Sequence, residues 1–217
     1  MRIQTYTGGN FGQNAYLAIC EASDVAVAID PGGGTDRMVA DLEERGHTLE
    51  AIVLTHAHLD HVEGVHLVRR FAPDVPIYLH PDDFDLYRSL PQQAAMFGLR
   101  ADPQPEPTDE LVPGRRFEFG QCGFDIRFTP GHAPGHVILV APEDGLAVTG
   151  DVVFQGSIGR TDLPGGDFKT LMASIRQEVL SLPDEITMYP GHGPPTTVGA
   201  ERATNPFLIP HYGGELA

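Results

Sequence analysis

Cysteine is scarce in this sequence. Among its 217 residues, only Cys20 and Cys122 are cysteines. Two cysteines are too few for a disulfide framework, and their spacing is not the C-x-x-C of a zinc or redox site. Free cysteines usually behave as small buried apolar residues. We therefore expect both thiols to be free and buried.

Positive charge is scarce as well. The chain has 14 Lys and Arg against 30 Asp and Glu, which gives a formal net charge of -16. Binding of a nucleic acid requires a basic face for the phosphate backbone, so this composition argues against nucleic acid as a partner. A small anionic substrate is still compatible with it if metal ions reverse the sign of the charge locally.

Long apolar runs are missing too. The longest apolar runs are about strand length. The first residues, MRIQTYTGGN, contain neither the charged n-region nor the apolar h-region of a signal peptide. The hydrophobic content of 41% is enough for a sizeable core. We expect one compact domain over residues 1–217, soluble and cytoplasmic, without membrane contact. The sequence does not indicate the oligomeric state.

Short apolar runs and helical patterns follow one another along the chain. The runs predict strands at 25–29, 51–54, 77–79, 116–119, 124–128, 137–140, 147–149 and 186–189. Helical spacing predicts helices at 38–46, 62–71, 84–87 and 168–180. The proline-rich segment 101–109 predicts an exposed connector between two strand-rich halves. The pattern indicates stacked sheets with helices outside.

The strongest functional signal is the segment LTHAHLDH at 54–61, which follows a short apolar run. His56 and His58 are two residues apart, so in an extended segment they point to the same side and can hold one ion. Asp60 and His61 lie at the predicted start of the next helix, where they turn toward a neighbouring position for a cation. Burying so many polar groups unpaired is costly. The segment therefore predicts a site for one or two cations.

Three later strand ends supply the same kind of side chain. His132, Asp151 and His192 each follow a predicted strand and stand next to a glycine. Glycine lets the backbone pass close to a crowded metal centre. His136 fits either an outer support for the site or a strand histidine with an ordinary hydrogen bond. The remaining isolated histidines are expected to be ordinary hydrogen-bonded residues: His47, His66, His80 and His211.

Together these residues resemble a known pattern. His56-x-His58-x-Asp60-His61, followed by His132, Asp151 and His192, resembles the ligand pattern of the metallo-β-lactamase-fold hydrolases. The segment at 29–32 is similar to an early sheet motif of that superfamily, and the segments at 156–162 and 191–194 are similar to a short bacterial branch related to glyoxalase II. The resemblance implies an α+β (αββα) sandwich, in which two mixed β-sheets pack face to face with helices on both outer faces.

The resemblance also implies two metal sites. The first ion would be held by His56, His58 and His132, the second by Asp60, His61 and His192, with Asp151 bridging both. Nitrogen and carboxylate ligands without thiolate fit zinc, and they also suit iron or manganese. The expected cofactor is therefore two divalent metal ions, with zinc favoured.

The implied activity is hydrolysis of a thioester, S-lactoylglutathione or a similar compound, by a hydroxide that bridges the two ions. Asp60 would orient the water and could take its proton. Arg160 would bind the carboxylate of a glutathione carrier. The alternative for Arg160 is a loop arginine that pairs with Asp162.

Other functions remain compatible with the resemblance. A persulfide dioxygenase with a single iron is the main alternative, because the segment GRTD at 159–162 also looks like that class, whereas GHG at 191–193 favours the hydrolases. β-Lactamases with two zincs are set aside because they typically lack the bridging aspartate that Asp151 supplies. A non-catalytic metal-binding protein is the alternative from another class, although structural sites normally leave no position open.

Overall fold

Two six-stranded β-sheets form the centre of the computed structural model, which describes residues 1–209. The first sheet consists, in spatial order, of Arg2–Gly8 (β1), Gln13–Cys20 (β2), Val25–Ile29 (β3), Thr48–Val53 (β4), Ile77–Leu79 (β5) and Asp109–Glu110 (β6). The strands of the second sheet are Arg116–Phe119 (β7), Cys122–Phe128 (β8), Val137–Ala141 (β9), Leu146–Gly150 (β10), Thr187–Pro190 (β13) and Thr196–Thr197 (β14). Their spatial order is β14-β13-β10-β9-β8-β7. A small hairpin, Val153–Phe154 (β11) with Ser157–Ile158 (β12), follows β10.

Helices cover the outer faces of both sheets. They are Thr35–Arg45 (α1), Leu59–Val62 (α2), Val65–Phe71 (α3), Phe84–Arg88 (α4), Leu90–Met96 (α5), Phe168–Ser174 (α6) and Val198–Thr204 (α7). A π-helical turn, Ile175–Val179, continues α6. None of the helices within residues 1–209 combines the length and the apolar character needed to cross a membrane.

Alternation along the strands places the hydrophobic core in three layers. In β3, Val27 and Ile29 point between the two sheets, whereas Ala26 and Ala28 point toward the helices of the first half. In β9, Val137 and Leu139 point between the sheets, and the residues that alternate with them pack with the helices of the second half. Strand pairing is parallel from β3 to β6 and between β10 and β13, and antiparallel elsewhere. The predicted αββα sandwich of two mixed sheets is therefore confirmed.

The predicted elements are found with shifted ends, and two predicted helices differ in form. The predicted helix 62–71 is two short helices, α2 and α3, because the chain turns at Gly64, whose N–H donates to the carbonyl of Pro31. The predicted helix 168–180 changes from α-helix to π-helix at Ile175. Residues 101–108 have no regular structure, as expected for a connector. The sequence did not predict β1, β2, α5 or α7 as elements, nor the two-residue strands β6, β11, β12 and β14.

The expectation that both cysteines are free is wrong. Cys20 and Cys122 form a disulfide, with 5.7 Å between their Cα atoms. Cys20 is the last residue of β2 in the first sheet, and Cys122 is the first residue of β8 in the second. The two positions are 102 residues apart in sequence. Only the packing of one sheet on the other brings them together, so their spacing in the sequence could not reveal the bond.

Candidate metal centre

The seven predicted ligands come together at one rim of the sandwich. His56, His58, Asp60 and His61 follow the end of β4 in the first sheet. The other three, His132, Asp151 and His192, follow the ends of β8, β10 and β13 in the second sheet. The site is therefore built from both sheets.

Two groups of donor atoms form within this rim. His56, His58 and His132 make the first group, and Asp60, His61 and His192 make the second, with the donor atoms of each group within 4.8 Å of one another. In the first group, His58 Nδ1 lies 2.8 Å from His132 Nε2. In the second, His192 Nε2 lies 3.1 Å from Asp60 Oδ2.

Asp151 lies between the two groups. Its Oδ1 is 3.3 Å from His61 Nε2, and its Oδ2 is 3.4 Å from His132 Nε2 and 3.5 Å from His192 Nε2. One carboxylate therefore faces donors of both groups, as a bridging ligand would.

Three buried polar atoms at the centre of the cluster have no hydrogen-bond partner among the described residues: His56 Nε2, His61 Nε2 and Asp151 Oδ1. Unpartnered buried polar atoms are costly, and two bound cations, one in each group, would satisfy all three. Two sets of nitrogen and carboxylate donors fit divalent transition metals such as zinc or iron. The residues present thus fit a metal centre.

Hydrogen bonds at the opposite ring nitrogens fix the orientation of three histidines. Thr55 Oγ1 lies 3.1 Å from His56 Nδ1, and Asp30 Oδ2 lies 2.9 Å from His61 Nδ1. The carbonyl oxygen of Arg160 lies 2.7 Å from His132 Nδ1. Such contacts leave Nε2 of each ring turned toward the cluster and strengthen it as a ligand.

Asp30 is a site residue whose role the sequence did not show. Its carboxylate accepts hydrogen bonds from the Thr55 N–H at 2.7 Å and from the Thr55 hydroxyl at 2.6 Å, besides contacting His61. In the sequence Asp30 appears only within a motif at the end of β3. Its link to residues 55–61 depends on the parallel pairing of β3 with β4.

His136 supports the site from outside. Its Nε2 accepts a hydrogen bond from the backbone N–H of Asp151 at 3.0 Å, and its Nδ1 lies 3.0 Å from Thr129 Oγ1. The ring also stacks on His56, with 4.7 Å between the ring centroids. Because both nitrogens are engaged, His136 is not available to a metal ion.

Burial and charge divide the histidines into two kinds. Burial lowers the pKa of His56 and His132, and it lowers the pKa of His58 to about 3, so these rings are neutral and ready to bind a cation. Burial also acts against the charged form of His61 and His192. For both rings, the nearby carboxylates have a larger effect on the pKa than burial has. The pKa of His61 is therefore raised, and that of His192 is raised to about 9. Metal binding at these two rings would displace protons.

Two adjacent cavities lie at the cluster. The metal cavity, of about 320 Å³, is lined by five of the seven predicted ligands together with Phe11, Leu59, Gln93, Phe97, Phe154, Ile158, Arg160 and Leu163. A second cavity of about 270 Å³, here called the side groove, is lined by His58, Leu86, Ser89, Gln92, Gln93, Met96, Phe97, Leu163 and Pro164.

Arg160 lies at the metal cavity, but its guanidinium already has a partner. Its Nε donates to Asp162 Oδ1 at 2.7 Å and its Nη2 donates to Asp162 Oδ2 at 2.8 Å. The side chain is exposed. The loop-pairing alternative is thus the geometry that the structure contains, while substrate binding by Arg160 stays a prediction.

Glycine at position 191 lets the end of β13 pass directly against the Asp151 carboxylate. A Cβ at Gly191 would lie 2.1 Å from Asp151 Oδ1 and 2.6 Å from His61 Cε1. No side chain fits in that space.

The fold and this cluster define the class of protein. Residues 8–192 match the sequence profile of the Metallo-beta-lactamase superfamily, and the chain belongs to that superfamily. It is 40% identical to the hydroxyacylglutathione hydrolase GloC of Haemophilus influenzae, over 96% of this chain and 98% of that protein.

Two solved structures are similar to nearly the whole chain. TTHA1623 in a di-iron-bound form is 43% identical with a TM-score of 0.87, over 94% of this chain and all of that one. BLEG-1 B3 metallo-beta-lactamase is 36% identical with a TM-score of 0.89, over 96% of this chain and 100% of that one. The chain is a metal-dependent hydrolase of this superfamily, which excludes the non-catalytic alternative.

Proposed function

We propose that the protein is a binuclear thioesterase that hydrolyses S-lactoylglutathione or a related small thioester. The observation that carries the proposal is the position of Asp151, whose two carboxylate oxygens face the donors of both groups. The similarity to a hydroxyacylglutathione hydrolase supports the choice of substrate class. A small thioester in the cytoplasm, with no nucleic acid or membrane partner, is part of the same proposal.

The seven ligand residues would hold the ions in two sets, His56, His58 and His132 in one and Asp60, His61 and His192 in the other, with Asp151 shared. When bound, divalent ions supply a hydroxide near neutral pH and polarise the carbonyl group. We favour zinc, and iron or manganese also suits these ligands, as the di-iron form of TTHA1623 illustrates.

Asp60 is the proposed catalytic residue because it lines the metal cavity as well as belonging to the second group. Although burial opposes ionisation, the neighbouring His61 and His192 keep its pKa below the usual range, so it stays a carboxylate. An ionised acceptor there can orient a water molecule toward the carbonyl carbon. In the reaction the water oxygen bonds to that carbon, the C–S bond breaks, and the sulfur leaves as a thiolate that is later protonated.

Metal analysis and activity on one sample test the proposal. Protein purified without added metal should contain two ions per chain by plasma emission and should hydrolyse S-D-lactoylglutathione. Asp151→Ala should lose at least one ion and most of the activity, because two cations without their shared anion repel each other. Full activity with one ion per chain, or wild-type metal content and rate in Asp151→Ala, would contradict it.

Arg160 is proposed to bind the carrier carboxylate by exchanging Asp162 for it. Arg160→Ala should then raise KM for a glutathione thioester more than it changes kcat, because the contact is far from the scissile bond. The lost contact should cost about 1–3 kcal/mol of binding free energy. Asp162→Asn leaves the guanidinium without its ionic partner and should lower the same KM. Equal losses on charged and uncharged thioesters would instead assign Arg160 to loop support.

Two other activities can be measured on the same sample. Hydrolysis of a chromogenic cephalosporin tests the likeness to BLEG-1, which is named a B3 metallo-beta-lactamase. Oxygen uptake with glutathione persulfide and iron tests the dioxygenase alternative. If either proceeds while no thioester is cleaved, the thioesterase proposal is wrong.

A further inference from the structure

The side groove borders the metal cavity. His58, Gln93, Phe97 and Leu163 line both spaces. A molecule whose reacting carbon lies over the metal cluster can therefore extend one substituent into the groove. Arg160 lines only the metal cavity, and Met96 lines only the groove, so the two arms of the site offer different surfaces.

The walls of the side groove are largely apolar. They are formed by Leu86, Met96, Phe97, Leu163 and Pro164, and no Asp, Glu, Lys or Arg is among its lining residues. Met96 and Phe97 are 61% and 42% exposed, which is much for side chains of this kind. An uncharged apolar ligand would cover surface that is now in water.

Two polar side chains of the groove, Gln93 and Ser89, are already paired, while Gln92 is exposed at its edge. Gln93 Nε2 donates to the carbonyls of Ala57 and Leu86, and Gln93 Oε1 accepts from the Leu59 N–H. The hydroxyl of Ser89 donates to the Leu86 carbonyl at 2.7 Å. Because these groups serve the protein itself, they have little left to offer a polar ligand. The groove therefore selects by apolar contact.

Phe97 also forms one side of the cavity mouth. Its ring meets that of Phe11 edge to face, with 5.1 Å between the centroids. The aromatic pair narrows the entrance with apolar surface contributed by the β1–β2 loop and the end of α5.

From this geometry we infer that the side groove binds the acyl group of the thioester and that the preferred acyl group is an unbranched apolar chain longer than a two-carbon unit. The inference rests on the proposed thioesterase function and deepens it. The thiol carrier then occupies the arm of the site at Arg160.

A series of glutathione thioesters tests this preference. With acetyl, butanoyl and hexanoyl groups on the same carrier, kcat/KM should rise roughly twofold to fourfold for each methylene group that the groove covers. The short hydroxylated acyl group of S-D-lactoylglutathione should rank below hexanoyl. Hydrolysis of the whole series at equal rates would overturn the inference while leaving the thioesterase proposal intact.

A binding measurement keeps the inference testable if no thioester is cleaved. Calorimetry with S-hexylglutathione and S-methylglutathione, which cannot be hydrolysed, compares the same alkyl difference without catalysis. Tighter binding of the hexyl compound, by tenfold or more, supports the groove as the chain site. Equal affinities would overturn it whatever the reaction proves to be.

Matched variants locate the effect. Met96→Ser and Phe97→Ser should reduce the hexanoyl-to-acetyl preference about fivefold or more. Phe168→Ser is the control, because Phe168 is 52% exposed and lines neither cavity. An unchanged preference in all three variants, or an equal loss in the control, would contradict the assignment. The assignment would also be wrong if the wild type is a dimer and both groove variants are monomers with an unchanged chain-length preference. The groove would then be a contact between two copies of the chain.

Discussion

Asp83 is a buried carboxylate that joins the two loops carrying the first group of donors. Its Oδ2 accepts from the Ala57 N–H at 2.8 Å, between His56 and His58. Its Oδ1 accepts from the Gly135 N–H at 2.5 Å, in the loop that carries His132. Burial raises the pKa of this carboxyl to about 6, although the two backbone donors oppose that shift. Asp83 is a positioning residue for this rim of the site.

Replacing Asp83 should therefore loosen the first metal site. Asp83→Asn keeps one acceptor oxygen but turns an NH2 group toward the other backbone N–H, which should cost about 1–3 kcal/mol of the free energy of unfolding. We expect lower metal content and weaker retention of the ion held by His56, His58 and His132, measured by competition with a chelator. Asp82→Asn, at the exposed neighbour, is the control. Wild-type metal retention in Asp83→Asn would assign the residue no positioning role.

At the residue scale, the sequence predicted the side chains that cluster at the rim but not the residues that support them. His56 and His192 follow the ends of β4 and β13 by two or three residues, and histidines at strand ends are typical of metal sites. Asp30 and Asp83 have partners that lie 25 to 52 positions away. Nothing local distinguishes them from surface aspartates, because their burial depends on tertiary packing.

At the scale of elements, the disulfide joins one strand from each sheet. Cys20 ends β2 and Cys122 begins β8. In the pairing of β2 with β3, Cys20 lies opposite Val25, at the start of β3, whereas the other end of β3 leads to Asp30 at the metal centre. The bond therefore ties the sheets at the end of the sandwich away from the site.

Removing this bond should destabilise the fold. A cross-link between residues 102 positions apart restricts the unfolded chain strongly, so Cys122→Ala should lose about 2–5 kcal/mol of the free energy of unfolding. Urea unfolding with and without a thiol reductant measures the effect, and the double variant Cys20→Ala/Cys122→Ala should not respond to the reductant. An unchanged urea midpoint in the reduced wild type would contradict the expectation. Because disulfides persist mainly in oxidising compartments, alkylation of protein taken directly from cells would also test the predicted cytoplasmic location.

Elements that are uniform apolar runs were predictable, and elements that mix polar with apolar residues were not. The strands β5 and β9 are apolar runs bounded by a histidine and a proline, and they were found within one residue of their ends. β2 is buried along its entire length but begins with Gln13 and Asn14, so it shows neither a pure apolar run nor alternation. Helix α5 contains Pro91 and two glutamines, which weaken its helical pattern.

At the scale of the whole molecule, the metal centre spans the two sheets. Four of the proposed ligands follow β4 in the first sheet, and three follow strands of the second. Bound ions would therefore hold the sheets together at one end, while the disulfide does so at the other. The stacked arrangement was predictable from two strand-rich halves, but which strands pair across 50 or more residues depends on packing that the sequence does not display.

Metal removal should thus lower the stability of the whole fold. A ligand that binds only the folded state, at a free concentration a thousand times its Kd, contributes about 4 kcal/mol. Dialysis against a chelator should lower Tm in scanning calorimetry, and added zinc should restore it. Asp151→Ala should respond less than the wild type. A Tm independent of chelator would mean that the ions contribute nothing to joining the sheets.

The close approach at Gly191 limits how this enzyme can acquire new substrates. A Cβ there would overlap Asp151 Oδ1, and a Cβ at Gly159 would lie 1.9 Å from the Asp151 carbonyl oxygen. In a directed-evolution library, random changes at these two positions will be eliminated as inactive. Variation that survives selection should accumulate instead at Met96, Phe97 and Leu163, which line the cavities. A library that keeps the two glycines fixed would therefore contain a larger share of active members.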